Sequence, residues 1–305
     1  MRSPAARMAS VGAAAVLVLS GCSWGADGLA DDRPMVLTTF TVLADIAKNV
    51  GGSHLRVESI MKVGAEIHSY EPTPGDIRRG SEADLILDNG LNLEAWFEKF
   101  VDGLSVPHVV VSEGVDPIDI SEDAYAGRPN PHAWMSPLNV KIYVDNMVAA
   151  FSRLDPSHAA DYEANGAAYK AELQRVHDEM VAQLATLAPN ERALVTCEGA
   201  FSYLARDAGL VEKYLWPVNA EQQATPQRIA SAIAFVKANK VPAVFCESTV
   251  SDAPMQRVVD ATGTRYGGTL YVDSLSAPDG PVPTYLALIE YDIKTIVTAL
   301  TGRPA

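Results

Sequence analysis

Two histidines and two carboxylates stand where loops could bring them together: His68, His132, Glu198 and Asp273. Imidazole nitrogens and carboxylate oxygens are the donors of an intermediate-hardness metal site. Each of the four lies just beyond an apolar run that reads as a strand, or just before a helix start. His68 follows "RVESIM", Glu198 follows "ALVTC" directly, and Asp273 closes "TLYVD". His132 lies in "NPHAWMSP", ahead of a helix beginning near Ser136. The spacings are 64, 66 and 75 residues, so no local motif joins them. No other histidine lies three or four residues from His68, which excludes a helical pair of ligands there. A lone histidine in a loop is most often solvated or bonded to backbone. That bland reading is adopted for His54, His108, His158 and His177.

The elements that must position these residues read as α/β. Four apolar runs fall in the first half ("MVLTTF", "RVESIM", "ADLILDN", "PHVVVSEG") and four in the second ("RALVTC", "EKYLWPV", "PAVFCES", "GGTLYVDS"). Between them lie helix-like stretches such as 42–50, 229–237 and 254–261. Strand–helix alternation with runs apolar on both faces argues for parallel sheets covered by helices. The expectation is two lobes, 35–154 and 191–305, each with a four-stranded parallel sheet. "TPGDI" at Thr73 and "TPQRI" at Thr225 both read as helix starts, with threonine at the N-cap and proline at the first helical position. Asp155 to Asn190 repeats apolar residues mostly at steps of three, four or seven. It predicts one backbone helix joining the lobes, about 45–50 Å long at 1.5 Å per residue, weakened a little by Gly166. Open α/β sheets bind ligands beyond the carboxyl ends of their strands. Two lobes facing each other along those edges would bring two candidate donors from each side into one cleft.

The N-terminus carries Arg2 and Arg7, a short apolar run, and "LSGC" ending at Cys22. This reads as a signal peptide over 1–21, too short for a spanning helix. Leu-Ser-Gly-Cys resembles a bacterial lipobox, which implies lipidation of Cys22 and a tether over 22–34. Export and anchoring at the outer face of the cell membrane follow. Removing 1–21 takes two arginines and no acid, so the formal charge of −14 becomes −16. Such acidity argues against a nucleic-acid partner. Cys197 and Cys246 each end an apolar run and read as buried thiols, although an exported protein could pair them.

Beyond these features the chain resembles the metal-binding receptors of bacterial ABC importers, the lipoproteins that deliver manganese, zinc or iron to a permease. The matching stretches run in order along the mature chain: "HSYEPTPGDIRRGSEADLILDNGLNLEAWF", "NPHAWMSP", "VTCEGAFSYLARDAGL", "WPVNAEQQATPQRI", "KVPAVFCESTVSDAPM" and "LYVDSLS". The resemblance implies that His68, His132, Glu198 and Asp273 are the metal ligands. It also implies a permease as partner and a monomeric receptor with no enzymatic activity. Glu247, ending a strand, is a candidate to support the ligands; Glu71 is a weaker one. Two imidazoles and two carboxylates suit Mn(II) or Fe(II). Zinc-specific relatives usually carry a third histidine at the position of Glu198 and a histidine-rich loop ahead of the second ligand. Here that loop is "SEDAYAGRPNPH", without histidine before His132, which favours manganese over zinc. A secreted metallohydrolase is the rival class; it would need an open position for water and a general base.

Overall fold

The first sheet grows from four short strands: Met35–Thr38 (β1), Arg56–Ser59 (β2), Leu85–Asp88 (β3) and His108–Val110 (β4). They pair in the order β2-β1-β3-β4, all parallel, with Val36 opposite both Val57 and Leu85. β1 and β3 are buried along their whole length, as central strands of a sheet covered on both faces must be. Helices Thr41–Gly51 (α1), Pro74–Glu82 (α2), Phe97–Val101 (α3) and Pro137–Leu154 (α4) complete this half. The computed structural model describes residues 31–101, 103–121, 125–218 and 224–302. The expected signal segment and Cys22 lie outside these residues, as does most of the expected tether. Among the described residues no helix is long and apolar enough to cross a membrane.

Both predicted threonine–proline helix starts form. Thr73 accepts the Asp76 N–H, and Asp76 returns a bond to the Thr73 N–H, closing a capping box around Pro74. Thr225 accepts the Arg228 N–H ahead of Pro226, the first residue of the later helix Pro226–Asn239.

Between the halves runs α5, Ala159–Leu184, about 39 Å long at 1.5 Å per residue. It is shorter than the sequence pattern suggests, because local side-chain bonds tighten both ends. Asp155 accepts from Ser157 Oγ and Tyr162 Oη and pairs with His158, and Pro156–His158 forms a 3-10 turn. At the far end the Arg192 guanidinium donates to the carbonyls of Ala185 and Leu187. Tyr162, Gly166, Tyr169, Leu173, Val176, Met180 and Leu184 form the buried face. Gly166 is there for space: a Cβ on it would lie 2.6 Å from Val148 Cγ2 on α4.

The second half alternates Ala193–Glu198 (β5), Ser202–Ala208 (α6), Val211–Trp216 (β6), the helix from Pro226 (α7), Ala243–Glu247 (β7), Ala253–Thr262 (α8), Arg265–Leu270 (β8) and Tyr285–Thr301 (α9). All eight expected strands are present. Here they pair two by two, β5 with β6 and β7 with β8, each pair parallel. β5 and β7 lie side by side, and at their carboxyl ends the Glu198 N–H goes to the Glu247 side chain, 3.1 Å away. One residue earlier Cys197 and Cys246 form a disulfide, with Cα atoms 4.8 Å apart. The expectation of two free buried thiols is thereby corrected: both side chains are buried, and they are joined.

Candidate metal centre

His68, His132, Glu198 and Asp273 converge, with one ligand atom from each within 4.8 Å of all the others. The topology explains why residues so distant in sequence meet. His68 leaves the loop after β2, and His132 starts the turn that leads into α4. Glu198 is the last residue of β5, and Asp273 follows β8. Each lies at a strand end or helix start, where α/β sheets present side chains to a ligand. All four are buried, from 0 % exposed for His132 to 7 % for His68.

His68 Nε2 lies 3.2 Å from His132 Nε2 and 3.2 Å from Glu198 Oε1. His132 Nε2 lies 3.9 Å from Glu198 Oε1 and 3.7 Å from Asp273 Oδ1. Four donors are thus aimed at one small volume. Burial pulls the pKa of His68 down, but the Glu198 charge and its hydrogen bond outweigh this and lift it to about 9. Burial carries His132 the other way, to about 3, against the pull of the Glu198 charge and with the His68 charge helping. Burial, then the charge of Glu198, raises Asp273 to about 7. One imidazolium therefore sits among the carboxylates. Asp273 Oδ1 is buried with no hydrogen-bond partner, an oxygen left for a ligand the protein itself does not supply.

The candidate ligands are oriented by groups that spacing does not single out. Asn130 Oδ1 accepts from His132 Nδ1 at 2.9 Å and from the His132 N–H at 3.0 Å. Its Nδ2 donates to the Gly199 carbonyl at 2.6 Å, so the amide oxygen faces the imidazole. His132 Nδ1 then carries the proton, and Nε2 offers its lone pair to the site. Asn130 was in view within "NPHAWMSP", but nothing about its spacing marked it. Glu66 plays a similar part for His68: its carboxylate accepts the N–H groups of His68 at 2.6 Å and Ser69 at 2.9 Å. The Asp273 loop is held from both sides by the N-terminal half. Val272 O accepts from Trp134 Nε1, Ser274 Oγ from the Gly64 N–H, and the Leu275 N–H donates to Thr41 Oγ1.

Glu247 lies against the site, with Oε2 on the Glu198 N–H and Oε1 unpartnered. Burial, and then the Glu198 charge, raises its pKa well above the carboxylate range. Glu71 is exposed ahead of α2 and stands apart from the cluster. Glu198 does not cap the following helix: the N-cap of α6 is Phe201, whose N–H is taken by Glu212. The remaining histidines lie elsewhere. His54 and His158 stack with ring centroids 3.9 Å apart, each paired to an aspartate, Asp161 and Asp155.

Comparison with known proteins agrees with this geometry. The family model of ZnuA, the periplasmic component A of the zinc-uptake complex, matches residues 36–299. The iron-binding protein YfeA of Yersinia pestis is 51 % identical over 262 residues, 86 % of this chain and 84 % of that one. The manganese ABC transporter substrate-binding lipoprotein PsaA of Streptococcus mitis is 33 % identical, over 93 % of this chain and 95 % of its own. The solved structure of the Mn-bound periplasmic metal-binding protein of Candidatus Liberibacter asiaticus superposes with a TM-score of 0.82 at 39 % identity, covering 88 % of this chain and all of that one. The eight strands, the helix between the halves and the extent of these matches lead to one conclusion: the chain belongs to the ZnuA family of periplasmic metal-binding proteins.

Proposed function

We propose that the protein is an extracytoplasmic receptor that binds one divalent transition metal through His68, His132, Glu198 and Asp273 and hands it to the permease of an ABC importer. The observation that carries this reading is the convergence of four buried donors, one of them an oxygen with no protein partner. The metal is cargo, and Mn(II) is the favoured one. Each carboxylate can bind through one oxygen or two, so the coordination number can rise above the four that zinc prefers. Fe(II) is the second reading, favoured by the name of the 51 % identical relative; Zn(II) is the third. Glu247 and Asn130 support the ligands, and Glu247 keeps the Glu198 backbone in place. The halves 35–154 and 191–305 act as two lobes around the site, joined through 155–190. A lipid on Cys22 anchors a monomer to the outer face of the membrane. The residues serve capture and release of a metal rather than hydrolysis, because four protein donors take the positions a water nucleophile would need.

Elemental analysis of protein purified from its own host without chelator tests the reading, together with thermal shifts on chelator-stripped protein. A metal that binds only the folded state stabilises it by about 4 kcal/mol at a thousandfold excess over Kd. Asp273→Ala and His132→Ala should each abolish most of the manganese shift; a shift retained in both places the site elsewhere.

A further inference from the structure

We propose that Glu212 is a positioning residue of the candidate metal site, acting on the His132 imidazole through Ser202 and Asn130. The proposal rests on His132 being a ligand. Four groups stand in line. The Glu212 carboxylate accepts from Ser202 Oγ at 2.5 Å. Ser202 Oγ accepts in turn from Asn130 Nδ2 at 3.1 Å. Asn130 Oδ1 accepts from His132 Nδ1 at 2.9 Å, which leaves Nε2 to face the site.

The direction of each bond is settled by groups that can act in one way only. The His132 backbone N–H is a donor, so the Asn130 atom that meets it at 3.0 Å is the amide oxygen. The Gly199 carbonyl is an acceptor, so the atom that meets it at 2.6 Å is the amide nitrogen. That nitrogen carries a second N–H, and it goes to Ser202 Oγ. The Ser202 hydroxyl then gives its own proton to Glu212. Every hydrogen in the line thus points from the imidazole toward the carboxylate. Bonds aligned head to tail polarise one another, and a carboxylate at the end makes the amide oxygen a stronger acceptor. Metal-binding histidines commonly hand their outer N–H to a carboxylate directly, which raises the basicity of the ligand nitrogen. Here a hydroxyl and an amide carry the same influence between carboxylate and ring.

The far end of the relay is fixed in place. Glu212 lies near the start of β6, opposite Leu194 on β5. Its second oxygen accepts the Phe201 N–H at 3.0 Å. Phe201 is the N-cap of α6 and supplies no side-chain cap of its own, so the carboxylate also serves the open N–H end of that helix. The residue after Ser202 grips the same asparagine. Tyr203 Oη donates to the Asn130 carbonyl at 2.8 Å and accepts the Ile118 N–H at 3.1 Å. Asn130 is therefore held by side chain and main chain on the first turn of α6. Burial pushes the Glu212 carboxyl up to about 7, against the pull of its bonds to Ser202 and Phe201. Asn130 and His132 are buried as well, and in such surroundings a charge is felt along a chain of bonds.

The test measures Mn(II) affinity at pH 8, by competition with a fluorescent chelator, in the full chain and in Ser202→Ala, Ser202→Thr, Glu212→Gln and the Ser202→Ala/Glu212→Gln double variant. The His132 Nδ1–H resonance of each metal-free, isotope-labelled protein is recorded by nuclear magnetic resonance. Ser202→Ala and Glu212→Gln should each weaken binding by about three- to tenfold, less than the ten- to hundredfold typical of a group that touches the ligand itself. Ser202→Thr keeps the hydroxyl and should bind like wild type. The double variant should bind no worse than the weaker single variant, because one cut in the relay makes the second silent. The His132 Nδ1–H resonance should move upfield in Ser202→Ala and Glu212→Gln, as the bond to Asn130 loosens. A merely structural role would shift the melting temperature and leave this resonance where it is. Wild-type affinity in Ser202→Ala or Glu212→Gln overturns the proposal. So do single losses that multiply in the double variant, a loss in Ser202→Thr equal to that in Ser202→Ala, or an unmoved resonance. If Glu212→Gln fails to fold, the comparison of Ser202→Ala with Ser202→Thr decides. Failure of the ligand assignment reads differently: His132→Ala then binds Mn(II) at wild-type affinity, while the resonance still moves in Ser202→Ala.

Discussion

Asn130 joins the two halves of the candidate metal site through one amide: its oxygen faces His132 Nδ1 at 2.9 Å, and its nitrogen reaches the Gly199 carbonyl, next to Glu198, at 2.6 Å. One side chain thereby fixes the tautomer of one candidate ligand and the backbone beside another. Groups in this position typically carry ten- to hundredfold of metal affinity. Asn130→Ala is expected to weaken manganese binding by about that factor while leaving the protein folded. Asn130→Asp keeps the acceptor for His132 and loses the donor to Gly199, so it should fall between wild type and alanine. Isothermal titration of the three proteins checks the order; equal affinities in all three would falsify the positioning role.

Selectivity is expected to rest on Glu198. Its carboxylate brings charge and a possible second oxygen, and a histidine would bring one neutral nitrogen. Glu198→His should weaken Mn(II) binding strongly and Zn(II) binding less, because three nitrogens and one carboxylate still complete a tetrahedron. Competition titrations with both ions measure the ratio of affinities. An unchanged ratio removes the main reason for preferring manganese.

Binding should release protons. In the metal-free protein His68 titrates near 9 and Asp273 near 7, so both are largely protonated at pH 6 and only His68 at pH 8. Metal affinity should therefore climb with pH up to about 9, by roughly two decades per unit below pH 7 and about one above it. Both folded pKa values lie above the unfolded ones. The metal-free fold consequently loses stability as pH rises, from Asp273 between about 4 and 7 and from His68 between about 6.5 and 9. Proton counts from titrations in buffers of different ionisation enthalpy, alongside apo melting curves, test both halves. A pH-independent affinity would contradict the assignment.

The contact of α5 with α4 depends on Gly166. Alanine would ordinarily stabilise a helix by about 1 kcal/mol over glycine. Here its Cβ would sit 2.6 Å from Val148 Cγ2, and overpacking costs about 1–3 kcal/mol. Gly166→Ala is expected to be net destabilising in denaturant melts, and Gly166→Ala with Val148→Ala to recover much of the loss. If the single variant is more stable than wild type, the close approach of the helices is not limiting.

Anchoring has its own check. Cys22→Ser should release the protein from membranes or leave it unprocessed. Full partition of the variant into the detergent phase with other lipoproteins would count against lipidation at Cys22.

Much of the architecture could be read directly because its causes are local. Runs such as "LILD" in β3 and "AVFCE" in β7 are apolar at successive positions, and only strands buried on both faces call for that. Thr73–Pro74 and Thr225–Pro226 announce their helices with residues whose capping chemistry acts over three positions. What escaped depends on pairs distant in the chain. The Glu198 N–H meets the Glu247 side chain, 49 residues away in the chain. The pairing of Cys197 with Cys246 depends on the same juxtaposition. His54 and His158 find each other only after α1 and α5 are placed. The four candidate ligands were visible as strand-end residues, yet their spacing carried no signal, and the resemblance did the work of selecting them. Asn130 and Glu66 carry no mark in the sequence, because an amide and an acid in a loop look ordinary until the His132 ring and the His68 backbone that they hold are in position.

The burial of all four donors, none above 7 % exposed, has a kinetic consequence. If these four hold the ion as proposed, a chelator in solution cannot touch it while they are closed around it, and can only collect what the protein lets go. Stripping should then saturate at a rate independent of chelator concentration, equal to the rate at which the chain exposes its own interior. The lifetime of the cargo would then be set by that opening as much as by the strength of the coordinate bonds. On the proposed function, the receiver of the ion would have to act on the protein first and on the metal only afterwards.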